Sequence, residues 1–318
     1  ALWDTRILNK NRAPFSECFD MNDIWGPYYL RGALILFQSF ILTPLSLCKR
    51  LLENFIYLGP LREIPSRGPR EDNKITSAAW SSGIAAWEVL GSVSEDKLDS
   101  VNKVLGDEEL LNTGYEIRRK RIIELDTEAE SFLYEKLKAL LDGDFDKNLV
   151  APLKNFLDQP PRVKISLINK KEEIEVQPRD MGTGISQMVP CVVAAAIAEG
   201  KDIIAIEQPE LHIHPAWQTA LADVFIKAIA DRPDPPLFIL ETHSEHFMLR
   251  LLRRIRQTTE GDLPDGFPEV APNMVSVYYI YPGKEGDAEI VGLPIDEEGN
   301  FTERWPHGFF EERIKEFM

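Results

Sequence analysis

The feature that most constrains the fold is a continuous apolar run that stops on carboxylates: Asp202-Ile-Ile-Ala-Ile206-Glu207-Gln208-Pro209-Glu210. An unbroken β-branched run with no polar alternation marks a strand covered on both faces, the parallel-sheet type. A second run, Leu237-Phe-Ile-Leu240, follows a stretch from about Pro215 to Ala230 that reads as a helix, and it too ends in polar groups, Glu241-Thr242-His243. Next come a helix to Gln257 and two further strands, Val275 to Tyr281 and Glu289 to Leu293. Strand alternating with helix predicts βαβ units, hence an α/β fold with a mainly parallel sheet.

Upstream, residues 1–55 read as helical, broken around Pro14 and Pro27. The stretch Ala33 to Leu47 is the most apolar in the chain, but Gln38, Ser39, Thr43, Pro44 and Ser46 interrupt it. It is shorter than the ~20 clean apolar residues of a membrane span. A buried helix that ends or kinks at Pro44 is expected instead, with no membrane association. The opening ALWDTR lacks the basic region and apolar core of a signal peptide. Asn54 to Arg62 reads as a short buried strand entering a turn at Gly59-Pro60, followed by a polar loop over residues 63–83. Residues 84 to about 157 read as mostly helical, closed by Pro160-Pro161. Arg162–Ile168 and Glu173–Val176 alternate and flank Asn169-Lys170-Lys171, which predicts a hairpin. Gly182-Thr183-Gly184-Ile185-Ser186-Gln187 then opens an Ala/Val-rich helix to Ala198, with Gly200 after it.

Charge narrows the function classes. With 52 acidic against 36 basic residues the net charge is −16, which argues against a surface that coats nucleic acid. Two basic clusters, Arg118 to Arg121 and Arg250, Arg253, Arg254 and Arg256, read as solvated helix faces. A local nucleic-acid groove from the second cluster stays open. Cys18, Cys48 and Cys191 are odd in number and follow no metal-ligand spacing, which fits free thiols in a reducing cytoplasm.

In open α/β sheets ligands sit beyond the carboxyl ends of the strands. Glu207 at such an end can hold Mg²⁺ against nucleotide phosphates, and His243 at the next strand end can reach a phosphate. Gly182, Thr183, Gly184, Ser186 and Gln187 offer backbone N–H groups, a hydroxyl and a helix start, the elements of an anion site.

The order of these pieces resembles the C-terminal half of ABC-type ATPases of the SMC and DNA-repair kind. It is similar in particular to bacterial AAA-family ATPases with an extra C-terminal segment of unassigned function (DUF3696-like). The resemblance rests on Tyr57-Leu-Gly-Pro-Leu-Arg62, Arg179 to Gln187, Ile206 to Pro215, Glu241-Thr-His-Ser-Glu-His246 and Trp305-Pro-x-Gly-Phe-Phe310. It implies an ABC-type P-loop NTPase lobe with a helical insertion. Residues 1–83 would be the end of an N-terminal lobe with connecting helices, 84–160 the insertion, and 161–318 the C-terminal lobe. It further implies ATP and Mg²⁺ as ligands, with Glu207 in the Walker B position, His243 as switch histidine and Leu211 to Pro215 as D-loop. Gly182, Gly184 and Ser186 would form the signature loop facing the opposite subunit of a head-to-tail homodimer. Either Gly182 or Gly184 could take the first small position of that signature. A higher oligomer, and an effector partner such as a nuclease in bacterial defence, are extensions of the same resemblance.

Two departures from that pattern matter. No Gly-x4-Gly-Lys-Ser/Thr phosphate loop occurs in the sequence; it is expected to lie outside these residues or in another chain. Where such ATPases carry a catalytic Glu after the Walker B acid, this chain has Gln208, which cannot accept a proton at neutral pH. Gln208 and Glu210 are therefore expected to position water, and hydrolysis to be slow. Arg62 and Arg67 are expected in salt bridges, with phosphate or partner contacts as the alternative. Two rival functions remain: a non-hydrolysing nucleotide sensor or scaffold, and a metal-dependent hydrolase built on His212, His214, His243 and His246 without an HExxH pattern.

Overall fold

The computed structural model describes residues 34–65, 76–122, 127–141, 162–230, 232–283 and 286–305. Several expectations lie outside these residues: the helices of 1–33, Arg67 with most of its loop, the helix of 142–157, Pro160-Pro161, and the tail beyond Trp305. The chain divides into two compact units, Ala1–Asn54 and Phe55–Met318.

The described residues of the first unit contribute one helix, α1 (Leu34–Glu53), of 20 residues and mean hydropathy 1.3. Here the expectation of a buried helix is corrected, and of the two outcomes expected at Pro44, an end or a kink, the end does not occur. The helix runs through Pro44, none of it is buried, and Phe40 and Leu52 are 74% and 71% exposed. A π-helical turn over Gln38–Leu42 precedes the proline, the kind of local irregularity that relieves a missing backbone donor. By length and composition α1 could cross a membrane, a test that core helices and signal sequences also pass.

In the second unit β1 (Phe55–Leu58), β5 (Ile203–Glu207) and β6 (Leu237–Glu241) form a parallel sheet in the order β1-β5-β6. The connection from β5 to β6 is α7 (Pro215–Ala230), so this is the expected βαβ unit. Strand alternation sends Leu58, Ile204 and Ile206 into the core, all at most 1% exposed. α6 (Thr183–Ile197) belongs to the same core. This helix is apolar nearly all round, as a helix surrounded by protein must be, and Met188 to Ala195 are buried without a break. Each such aliphatic side chain contributes about 1.5–3 kcal/mol by burial, so Ile206→Ala would cost about 2–5 kcal/mol. The other sheet face carries Phe55, Ile203 and Leu237 side by side, then Tyr57, Ala205 and Ile239, then Glu207 beside Glu241. It is only partly covered: Leu237 and Ile239 remain more than half exposed.

Around this core lie α2 (Ser77–Ser81), α3 (Ile84–Val89) and α4 (Glu95–Gly106), and a further helix, α5, spans Thr127–Leu141. The mostly helical reading of residues 84 to about 157 needs one correction. Tyr115–Ile122 is a strand, β2, paired antiparallel along its whole length with β3 (Arg162–Asn169). The basic cluster Arg118 to Arg121 is therefore on a strand, and three of its members are engaged, Arg118 with Glu116 at 3.9 Å. Arg119 donates to the carbonyls of Leu90, Gly91 and Val93 and pairs with Glu95, and Lys120 pairs with Glu175. The predicted hairpin of β3 with β4 (Ile174–Val176) is present. Its turn is held by Asn169 Oδ1, which accepts the N–H groups of Lys171 and Glu172.

After β6, α8 (Glu245–Glu260) packs on α7. Asp223 of α7 is fully buried and receives Arg254 on both carboxylate oxygens (2.7 and 3.0 Å) and Arg250 at 2.6 Å. Arg256 donates to the Glu298 carbonyl and to Asn300. Three of the four arginines of that cluster thus hold the fold together. The last strands, β7 (Tyr278–Pro282) and β8 (Ala288–Gly292), form a separate antiparallel ribbon, not extra strands of the parallel sheet.

Candidate active site

The site begins where β5 and β6 run out of apolar residues. In register, Glu207 lies beside Glu241, both on the partly covered face at the carboxyl ends of adjacent parallel strands. Like charges this close favour a cation between or beside them. Tyr57 of β1 donates its phenolic hydrogen to Glu207 Oε1 at 2.6 Å. That hydrogen bond, with burial and the negative charges of Glu207 and Glu241, holds the phenol above its ordinary pKa, so it remains a donor. Glu207 Oε2 has no hydrogen-bond partner among the described residues.

Beyond Glu207 the chain turns sharply. Gln208 has φ +43° and His212 φ +62°, left-handed conformations that non-glycine residues rarely adopt. Such strain persists only where neighbours fix it. Gln208 N–H donates to the Glu241 carbonyl (2.8 Å), so the turn is tied to the end of β6. Glu210 is 9% exposed; its Oε1 accepts the His243 backbone N–H at 2.7 Å, and its Oε2 is buried with no partner. The His243 side chain is exposed. Ser244 caps α8, accepting from Phe247 N–H, and donates to Gln218, whose amide in turn donates to the Ile213 carbonyl. Glu207, Gln208, Glu210 and His243 thus belong to one connected pair of strand-end loops.

The glycine-rich segment reaches the same loop by packing. A Cβ on Gly184 would lie 2.9 Å from the His212 carbonyl oxygen, whereas one on Gly182 would meet nothing within 4 Å. The steric need for glycine therefore falls on Gly184. Gly182 and Thr183 are exposed at the start of α6, where no side chain caps the helix, leaving first-turn N–H groups for an anion. Ser186 and Gln187 face the other way. Ser186 is buried and its hydroxyl approaches the Pro178 and Gly182 carbonyls at 3.3 Å. The buried Gln187 amide accepts from Arg62 N–H (3.0 Å) and donates to the Arg62 carbonyl (2.5 Å). Arg62 itself is 3% exposed, and among the described residues its guanidinium donates to backbone carbonyls rather than to the carboxylate of the expected salt bridge. Local sequence gave no sign of the links from Tyr57 and Arg62, because their partners lie more than a hundred residues away.

The donor set fits Mg²⁺, which typically takes one or two carboxylates and completes its shell with water and phosphate; Glu207 and Glu241 would supply them. Among the described residues no three His, Cys, Asp or Glu side chains come together to hold a metal by themselves, so the hydrolase reading finds no ligand set there. His214 is exposed, and its Nδ1 accepts the Ala216 N–H.

The fold is an α/β one, with carboxylates at the carboxyl ends of two neighbouring parallel strands. Residues 84–248 match the family described as AAA ATPase domain, more than half of the 318 residues, and the chain belongs to that family. Residues 270–318 match a second family, described as a protein of unknown function (DUF3696). Among solved structures, the Smc head domain with a coiled coil and joint from Pyrococcus yayanosii is 12% identical, with TM-score 0.36, over 68% of this chain and 29% of that one. An SmcHead bound to the C-winged helix domain of ScpA is 10% identical, with TM-score 0.37, over 73% of this chain and 51% of that one. The chain thus spans at most about half the length of either. No curated protein matches it.

Proposed function

We propose that this chain supplies the acidic, switch and signature elements of an ABC/SMC-type ATPase whose phosphate loop comes from outside residues 1–318. The observation that carries the reading is Glu207 beside Glu241 at the carboxyl ends of neighbouring parallel strands, with His243 on the adjoining loop. Bound Mg²⁺ would neutralise charge on the β- and γ-phosphates. Glu207 holds that ion, with Glu241 beside it. His243 presents an exposed imidazole to the γ-phosphate side. Gln208 orients water by hydrogen bonding, and Glu210 fixes the His243 backbone with one oxygen. Gly182 and Thr183 offer free helix-start N–H groups to the nucleotide of a second copy, which implies a head-to-tail dimer. The apolar face of Phe55, Leu237 and Ile239 fits coverage by the lobe that brings the phosphate loop. Control of a partner effector such as a nuclease is the extension of this reading to the cell.

A second reading, a nucleotide sensor that does not hydrolyse, is favoured by the phosphate loop missing from this sequence and by Gln208, since an amide is no general base. Steady-state ATP turnover by the full protein separates the two. The ATPase reading expects slow hydrolysis that Glu207→Gln abolishes; binding without any turnover establishes the sensor, and rapid turnover contradicts the role given to Gln208.

A further inference from the structure

The segment Tyr57-Leu58-Gly59-Pro60-Leu61-Arg62 touches Glu207 twice, once at each end. At its start, Tyr57 holds the side chain through Oε1 at 2.6 Å, a length typical of a hydroxyl on a charged carboxylate. At its end, Arg62 holds the main chain: its Nη2 donates to the Glu207 carbonyl at 2.7 Å and approaches the Gln208 carbonyl at 3.4 Å. Between them the chain turns at Gly59, whose N–H donates to the Ser81 carbonyl and whose added Cβ would lie 3.0 Å from that oxygen. Arg62 is itself held. Its backbone pairs with the Gln187 amide in both directions and its Nη1 donates to the Gln187 carbonyl at 3.2 Å. A buried guanidinium that donates to carbonyls is an expensive way to fill space. It gives something an apolar residue cannot: several fixed donors on the back of a strained turn. Gln208 at φ +43° is then fixed through both its N–H, on Glu241, and its carbonyl.

We propose that Tyr57 and Arg62 are positioning residues that clasp Glu207, Tyr57 fixing its carboxylate so that Oε2 faces the cation, and Arg62 fixing the backbone that carries it. Through Gln187 the same clasp ties the acid to the helix that begins at the Gly182–Gly184 segment. This rests on the ATPase reading above. Outer contacts of this kind typically alter metal affinity by about 10–100-fold.

The test is the Mg²⁺ dependence of ATP binding by the full protein, for wild type, Tyr57→Phe, Arg62→Lys and Glu207→Gln. Tyr57→Phe removes one oxygen and should raise the half-saturating Mg²⁺ concentration by about tenfold or more with an unchanged melting temperature, a split that a packing role would not produce. Arg62→Lys should shift it in the same direction; because it is buried and can also lower stability, Tyr57→Phe decides. If Glu207→Gln abolishes the Mg²⁺ dependence while Tyr57→Phe leaves it at the wild-type value, the clasp is overturned and the ATPase reading stands. If Glu207→Gln also leaves it unchanged, the metal assignment fails and the clasp with it.

Discussion

Glycine and charge act at single positions in opposite ways. Gly184 is needed because the His212 carbonyl lies where a side chain would begin. Gly184→Ala should therefore force the glycine-rich segment and the 208–214 loop apart, costing about 1–3 kcal/mol as overpacking does. Gly182→Ala, at φ −60° with open space around it, should be neutral within about 0.5 kcal/mol. Denaturant midpoints of the two variants check this, and equal losses would refute the distinction. Asp223 is the reverse case. It is fully buried between Arg250 and Arg254, so Asp223→Ala strands two cations and should cost about 3–5 kcal/mol, read from the same denaturation curves. A loss below about 1 kcal/mol would show that the arginines find water instead.

Among the elements, the β2-β3-β4 sheet joins two distant parts of the chain by its backbone ladder, and one carboxylate on it faces cations of both other strands. Glu175 of β4 pairs with Lys120 of β2 and Lys164 of β3. The hydrogen bond from Lys120, opposed by a smaller effect of burial, holds its pKa down to about 2 from 4.5. A carboxylate depressed in the folded state contributes stability that is full above about pH 4.5 and lost as pH falls toward about 2. Glu175→Gln should thus be less stable than wild type at neutral pH, with the gap closing across that window; a gap independent of pH would contradict the pairing. This sheet also marks where sequence patterning stops working. The β3-β4 hairpin was legible because its alternation is clean and Asn169 opens the turn. β2 was not: Arg118-Arg119-Lys120-Arg121 breaks the apolar alternation, and the strand is specified by its pairing with β3 and by the carbonyls that Arg119 reaches. Burial in α1 failed for a related reason. Composition measures how apolar a segment is and says nothing about what covers it.

At the scale of the molecule, the parallel pair β5-β6 and its strand-end residues were readable because apolar run, acid and polar loop are contiguous in sequence. The site's framework was not, since the bond from Tyr57 to Glu207 spans 150 residues and only the fold brings the two together. The same framework leaves an apolar sheet face partly open beside the acids, with Leu237 and Ile239 more than half exposed. The claim at the centre of this account is that Glu207 binds the cation of a nucleotide. The most direct test is binding of ATP and ADP, with and without Mg²⁺, to wild-type and Glu207→Gln protein in the presence of the phosphate-loop lobe. The account predicts that Mg²⁺ tightens ATP binding to wild type and has no such effect on Glu207→Gln. Equal Mg²⁺ dependence in both proteins would contradict it.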